Sequence, residues 1–308
     1  MLSPFFREKR ALRKTKEFKV DIDRLRELAV SKHGLVNEDL RKLAWPILLN
    51  AEVLADRQAS EGDILKTTQS LRTDTSWQSH GKKTHRESGQ IAKDVNRSLN
   101  VFEECREWNK TLKMVRRAEL SKLMHAILNQ NPSLSYYQGY HDFISVFMLT
   151  LGENLGFHCG QIASKFLIKD FMREDFDLGV MPALDLSNKL LELEDLDLFN
   201  LIEQGGGQPT FAVSWILTWF AHDVESLSAV QLIFDACLAT HPLFCVYISV
   251  AQIILCKKAL LEQEMPEISG FIVFKEIRES QGFKIQESIL LAKSLFDKHP
   301  PDTVTKLI

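Results

Sequence analysis

Apolar residues recur at helical spacing along most of this chain. Ile22, Leu25 and Leu28 share one helical face, and after His33-Gly34 a second helix is predicted to carry Leu40, Leu43 and Trp45 and to stop before Pro46. Longer helical patterns follow, punctuated at Asn131-Pro132, Gly152 to Gly160, Gly179 to Pro182, Gly205 to Pro209, His241-Pro242, Met265-Pro266 and Gln281-Gly282. Alternation of period two is scarce and no fixed-period repeat occurs, so the pattern predicts one all-α domain over 21–308 behind a short arm over 1–20. Between Asp56 and Gly89 the periodicity lapses into Ser, Thr, Gln, Lys and Gly, with Trp77 nearly alone as a large apolar group, which predicts a loop or mobile insertion over 56–89.

The two longest apolar runs, Thr210 to Ala221 and Leu243 to Cys256, fall short of the roughly 18 to 20 residues a membrane span needs and read as buried core helices. Across 308 residues, 45% apolar and 26% charged positions describe an ordinary globular chain able to bury a sizeable core. A formal net charge of -3 gives no basic footprint, so nucleic acid is not an expected partner. The basic run from Arg7 to Lys19 reads as a solvated arm, with weak attraction to an acidic membrane surface as its functional alternative. Phe5-Phe6 is followed by charges, so no secretory signal is expected. Five cysteines without a C-x-x-C pair predict buried, reduced thiols and neither disulfides nor a zinc site.

Several motifs invite chemistry and fail on context. Gly205-Gly206-Gly207 and Gly81-Lys82-Lys83-Thr84 lack the order and the preceding strand that a phosphate-binding loop requires. His141-Asp142 is the dipeptide used by helical metal-dependent phosphohydrolases, for which His125, His158 and Asp170 are the available further ligands. No G-x-S-x-G elbow occurs, and no cysteine has a catalytic setting.

Two segments carry more. At about 100° per residue, Ile91, Val95, Leu99 and Phe102 line one face of a helix from which Asp94 and Arg97 project away. They form either a surface pair three residues apart or an arginine held by a carboxylate for a partner's phosphate, which a planar guanidinium suits. The stretch Ser135 to Asp142, SYYQGYHD, sets Gln138 and Gly139 among three tyrosines before an apolar helix. Its aromatics serve packing, with Gln138 facing water, or they fix a neutral amide that can orient a water without titrating.

Taken in order, Arg41-x-x-x-Trp45, Ile91-x-x-Asp94-x-x-Arg97 and Tyr137-Gln138-Gly139 resemble the signature motifs of the TBC domain, the Rab GTPase-activating family. Ser214 to Phe220, SWILTWF, followed by Ile233-Phe234-Asp235, is similar to a later block of that family, with Ser214 and Phe234 where Arg and Trp are common. The resemblance runs from about Gly34 to Leu261. It implies an activator of GTP hydrolysis rather than a stand-alone enzyme. In that reading Arg97 neutralises phosphate charge, Gln138 positions the attacking water, Asp94 orients Arg97, Tyr137 and Gly139 fix the approach of Gln138, and Trp45 packs in the core. The implied partner is a GTP-bound Rab, which carries the GTP and Mg²⁺, so no cofactor of the chain's own is expected. The resemblance also implies a cytoplasmic role in endoplasmic reticulum to Golgi transport, peripheral to those membranes. A Rab-binding scaffold without catalytic effect is the rival, against which the presence of both Arg97 and Gln138 argues.

No apolar 20-mer occurs in this chain, so it should stay in solution without detergent. Sedimentation with acidic vesicles is expected only at low salt, through Arg7 to Lys19, because ions screen that attraction. Retention on vesicles after a high-salt wash would contradict this.

Overall fold

The computed structural model describes residues 21–55, 61–175, 177–204, 212–262 and 282–308. The basic arm, the Gly205-Gly206-Gly207 run and Met265-Pro266 lie outside the described residues. Every element among the described residues is helical, as the periodicity predicts. The organising helix is Tyr140–Leu151, in which every residue except Leu149 is buried. Its sequence is apolar nearly all round, so it can only be stable with neighbours on every side. Glu38–Ala55, Lys110–Gln130 and Glu153–Phe166 pack around it, and Leu227–Ala239 joins it to a second apolar helix, Phe244–Leu255, which is covered by Asp177–Glu194 and Ile285–Lys298.

Where these helices meet, Trp45, Phe143, Phe147, Trp219 and Phe234 form a cluster with ring centroids 5.0 to 5.8 Å apart. Beside it lies the fully buried carboxylate of Asp235. Arg41 donates to it from Nε at 3.0 Å and Nη2 at 2.8 Å, Trp45 Nε1 at 2.7 Å, and the Leu35 amide at 2.9 Å. Arg41 also donates to Gln231, whose amide donates to Thr150 on the central helix. The Arg-x-x-x-Trp motif and the later Ile-Phe-Asp block are therefore two halves of one buried contact. Gly34 follows from it: its φ is +51°, and a Cβ would stand 2.6 Å from Asp235 Oδ2.

Three local expectations change. The helix carrying Trp45 does not stop before Pro46 but runs through it, over Glu38–Ala55. Proline removes the hydrogen bond to the carbonyl four residues back, and here that carbonyl, of Lys42, accepts instead from Arg72 Nη2 at 2.9 Å. The stretch expected to be a loop over 56–89 contains Glu61–Leu71 and Gln78–Gly81 as helices. Its one aromatic, Trp77, is fully buried, stacked on Phe157 at 4.7 Å with Lys122 Nζ above the ring. Trp77 thus anchors a stretch whose neighbouring residues are mostly polar. Gly156 and Gly179 lie inside helices rather than between them. A Cβ on Gly156 would meet Met148 backbone at 3.1 Å, so this glycine marks a close helix crossing and not a break.

All five cysteines are buried and unbridged. No helix among the described residues is long and apolar enough to cross a membrane.

Asp235→Ala leaves Arg41 charged and buried without its partner, which should cost about 3 to 5 kcal/mol of stability and be read as a lower urea midpoint. Pairing it with Arg41→Met should recover part of the loss, because the stranded charge is then gone as well.

Candidate functional site

The helix Ser88–Arg97 packs through Ile91 and Val95 on Lys110–Gln130. Asp94 does not project away from that face with Arg97. It is 1% exposed. Three positions on from Ile91 it stands only about 60° round the helix, on the flank that the 135–137 segment covers. The helix ends at Arg97, and Leu99 takes a left-handed φ of +58°. Arg97 thus lies in the last turn, where the free carbonyl ends favour a cation.

Arg97 is half-exposed, and its planar fork is held along one edge by Asp94 Oδ1, at 3.0 Å from Nε and 2.8 Å from Nη2. The other carboxylate oxygen accepts from the Tyr136 hydroxyl at 2.6 Å and from Gln90 Nε2 at 3.3 Å. Burial pushes the Asp94 carboxyl up, but Tyr136, His141, Gln90 and Arg97 together outweigh it and hold it below the ordinary carboxylate range. Burial and the same carboxylate push the Tyr136 phenol far up, so it remains a donor. Asp94 therefore stays ionised and shares its charge between the arginine and the tyrosine.

Behind this pair lies the His-Asp dipeptide. His141 Nδ1 is 3.9 Å from Asp94 Oδ2, and His141 Nε2 is 3.3 Å from Asp142 Oδ1. The other Asp142 oxygen lies 2.7 Å from Nδ1 of the half-exposed His222. Burial pushes the His141 imidazole below its usual range despite both carboxylates, whereas the Asp142 hydrogen bond raises His222. The further ligands a metal reading needs are engaged elsewhere: His125 with the Ser121 carbonyl, His158 near Asp74, and Asp170 with Arg173. Among the described residues no group of three or more His, Cys, Asp or Glu could hold a metal. The dipeptide supports the arginine from behind.

Gln138 is exposed at the tip of a segment held on all sides. The Ser135 amide donates to the Met172 carbonyl, the Tyr136 amide to Glu87, and the Tyr137 hydroxyl to the Leu217 carbonyl at 2.7 Å. Gly139 then turns the chain into the central helix at φ +106°, where a Cβ would press on Thr218 Cγ2 at 3.0 Å. The wall that receives Tyr137 is itself strained, because Trp219 and Phe220 are consecutive left-handed residues, each fully buried. An open cavity of about 520 Å³ borders Gln138, Tyr136 and Glu87.

Arg97, Asp94, Tyr137, Gln138 and Gly139 thus belong to two neighbouring segments, joined by the Asp94–Tyr136 hydrogen bond. Tyr137 anchors the segment through Leu217 and is not the tyrosine that reaches the arginine's carboxylate. Sequence reasoning missed that one, Tyr136, although it stood inside the quoted stretch, and it missed Glu87 and His222, for which no local signal existed. Ser214, bonded to Asp223, and Phe234, in the aromatic cluster, have packing roles.

Residues 38–261 match the family model of the Rab-GTPase-TBC domain. The chain is 28% identical over 291 residues to TBC1 domain family member 20 of Bos taurus, covering 93% of this chain and 66% of that protein. It is 29% identical over 250 residues to the GTPase-activating protein gyp10 of Schizosaccharomyces pombe, covering 81% of this chain and 61% of that one. It therefore spans less than two thirds of the length of either relative. Among solved structures, the crystal structure of the Ypt/Rab-GAP domain of Gyp1p has the same fold, with a TM-score of 0.71 at 15% identity over 96% of this chain and 98% of that one.

The Asp94 environment has a signature in pH. Its carboxyl is depressed in the folded state, so the stability it contributes is present above the unfolded value of about 3.9 and is lost as pH falls through the lower folded value. Asp94→Asn should therefore be less stable than the wild type at pH 7, by about 1 to 3 kcal/mol. Urea unfolding should show that gap narrowing steadily below pH 4.

Proposed function

The chain belongs to the Rab-GTPase-TBC domain family, and from that premise we propose that it stimulates GTP hydrolysis by a Rab GTPase in trans, with Arg97 and Gln138 as its two reacting side chains. The observation that carries this reading is that one buried carboxylate, Asp94, holds a half-exposed guanidinium directly and, through Tyr136, the segment that displays an exposed glutamine.

The chemistry follows from the two groups. A phosphoryl group in transfer spreads charge over its oxygens, and a guanidinium already oriented by Asp94 meets that charge with little reorganisation. Arg97 keeps the other edge of its fork for this purpose. Gln138 is neutral over the whole working pH range and can both donate and accept, so it can hold a water in line for attack without taking up its proton. The GTP and Mg²⁺ come with the Rab, which must be in its GTP-bound state; this chain supplies two side chains and the frame that holds them. Neither residue changes covalently.

Arg97→Ala should slow single-turnover GTP hydrolysis by a responsive Rab on the order of 10³-fold or more, with helical content unchanged by circular dichroism. Arg97→Lys should be nearly as poor, because a point charge on a flexible stem cannot keep the fork's geometry. A Rab that is bound but not accelerated by the wild-type protein would leave only a scaffold.

If Gln138 supplies the water-orienting amide, a Rab whose own catalytic glutamine is changed to leucine should still be substantially stimulated, and Gln138→Ala should be severely impaired even with the normal Rab. The measurement is the rate in all four combinations at saturating protein. A leucine Rab that is inert with wild-type protein, together with a fully active Gln138→Ala, would remove Gln138 from the mechanism.

A further inference from the structure

We propose that Glu87 is a positioning residue for Gln138, which it serves by gripping the backbone of the segment that displays the glutamine; this rests on the Rab-activating reading above. Glu87 immediately precedes the Ser88–Arg97 helix, at the position whose side chain ordinarily caps the first free amides. It makes no such bond. Its carboxylate leaves the helix instead and accepts the Tyr136 amide at 2.9 Å. That amide belongs to the non-helical stretch before Gly139, where backbone donors need partners from outside. The neighbouring Arg86 reinforces the contact by donating from Nη2 to Ser135 Oγ at 2.9 Å.

Tyr136 is therefore held at two points by one helix. Its amide is bound by Glu87 ahead of the first turn, and its hydroxyl by Asp94 near the last. Two residues further on stands Gln138. The two clamps differ in what else they hold. Asp94 also carries Arg97, so disturbing it disturbs both reacting groups at once. Glu87 has no hydrogen bond to Arg97; its carboxylate lies 4.0 Å from Arg86 Nε and 3.6 Å from the imidazole of His85, which burial pushes below its usual range. Loss of Glu87 should consequently let the glutamine segment drift while the arginine stays held, and a drift of about 1 Å is enough to cost on the order of 10² in rate.

The test uses the full chain with a GTP-loaded Rab that the wild-type protein stimulates. Glu87→Ala should lower the single-turnover rate at saturating protein by roughly 10-fold to 10²-fold, with half-saturation changed by less than about threefold. Glu87→Gln, whose amide oxygen can still accept the Tyr136 N–H, should recover most of the rate. Adding Glu87→Ala to Gln138→Ala should produce no further loss, whereas adding it to Arg97→Ala should multiply the two defects. Hydrogen exchange supplies a readout independent of any GTPase: protection of the Tyr136 amide should fall in Glu87→Ala and return in Glu87→Gln.

Unchanged Tyr136 exchange in the alanine variant overturns the clamp. Faster exchange with an unchanged rate overturns the positioning role, as does an equal rate loss in the Gln138→Ala background. If the wild-type protein accelerates no member of a Rab panel, the functional reading fails and the positioning role fails with it, and the exchange result still decides whether Glu87 holds the segment.

Discussion

A carboxylate removed from water has to find its donors inside the protein, and Asp235 finds them on a piece of chain some two hundred positions away. The desolvation of its charge is offset only if Arg41, Trp45 and the Leu35 amide are all in place at once. That requirement ties the start of the domain to the Leu227–Ala239 helix in a single register. Hydrophobic packing alone tolerates small slides between helices; a set of donors fixed around one carboxylate does not. Trp45 contributes to both kinds of constraint, since its ring belongs to the aromatic cluster and its indole nitrogen to the carboxylate. The central Tyr140–Leu151 helix is enclosed between the parts joined in this way, and the Gln138 segment leads directly into it.

The same physics recurs at Asp94, with one difference. Asp235 is surrounded, whereas Asp94 spends one oxygen on a group that stays half in solvent. A fully buried arginine would be rigid but unable to meet a partner, and a fully exposed one would have to be ordered anew at each encounter. Arg97 has the intermediate placement, restrained along one edge and open along the other. The His141, Asp142 and His222 side chains extend the support inward and back to the surface with alternating charge preference: His141 favours the neutral form and His222 the protonated one.

Much of this was legible in the sequence. The helical period carried the fold class because long amphipathic and apolar helices repeat their pattern over enough residues to be unmistakable. Arg97, Asp94 and Gln138 stood out because the motifs that carry them resemble the family's signature, whereas their types and spacings alone left open a surface ion pair and a water-facing glutamine. The failures have a common physical form, in which a local rule is overridden by a partner distant in sequence. Pro46 does not end its helix because Arg72 takes up the freed carbonyl. Trp77 holds a polar stretch in place because Phe157 and Lys122 are there to receive it. Asp94 is buried because Tyr136, forty-two positions on, closes over it. Glu87 reads as one more charge in a polar stretch until the structure brings Tyr136 beside it.

The glutamine among the tyrosines can be understood in the same terms. On the proposed reading, a side chain that aims a water should have few ways to move its backbone, while the side chain itself remains free to reach. The tyrosines, serine and glycine around Gln138 meet that demand by division of labour: Tyr136 faces the arginine's carboxylate, Tyr137 faces the Leu217 carbonyl, Ser135 is bound at Met172, and Gly139 supplies a turn that other residues adopt only with strain. None of these groups needs to touch the glutamine's amide. Because Tyr136 and Arg97 share Asp94, a shift of that carboxylate moves the supports of both, which couples the placement of Gln138 to that of Arg97 even though Glu87, Leu217 and Met172 also hold the glutamine's segment. On the proposed reading, in which both side chains meet one phosphate, that shared support sets their relative placement more directly than rigidity at either residue alone.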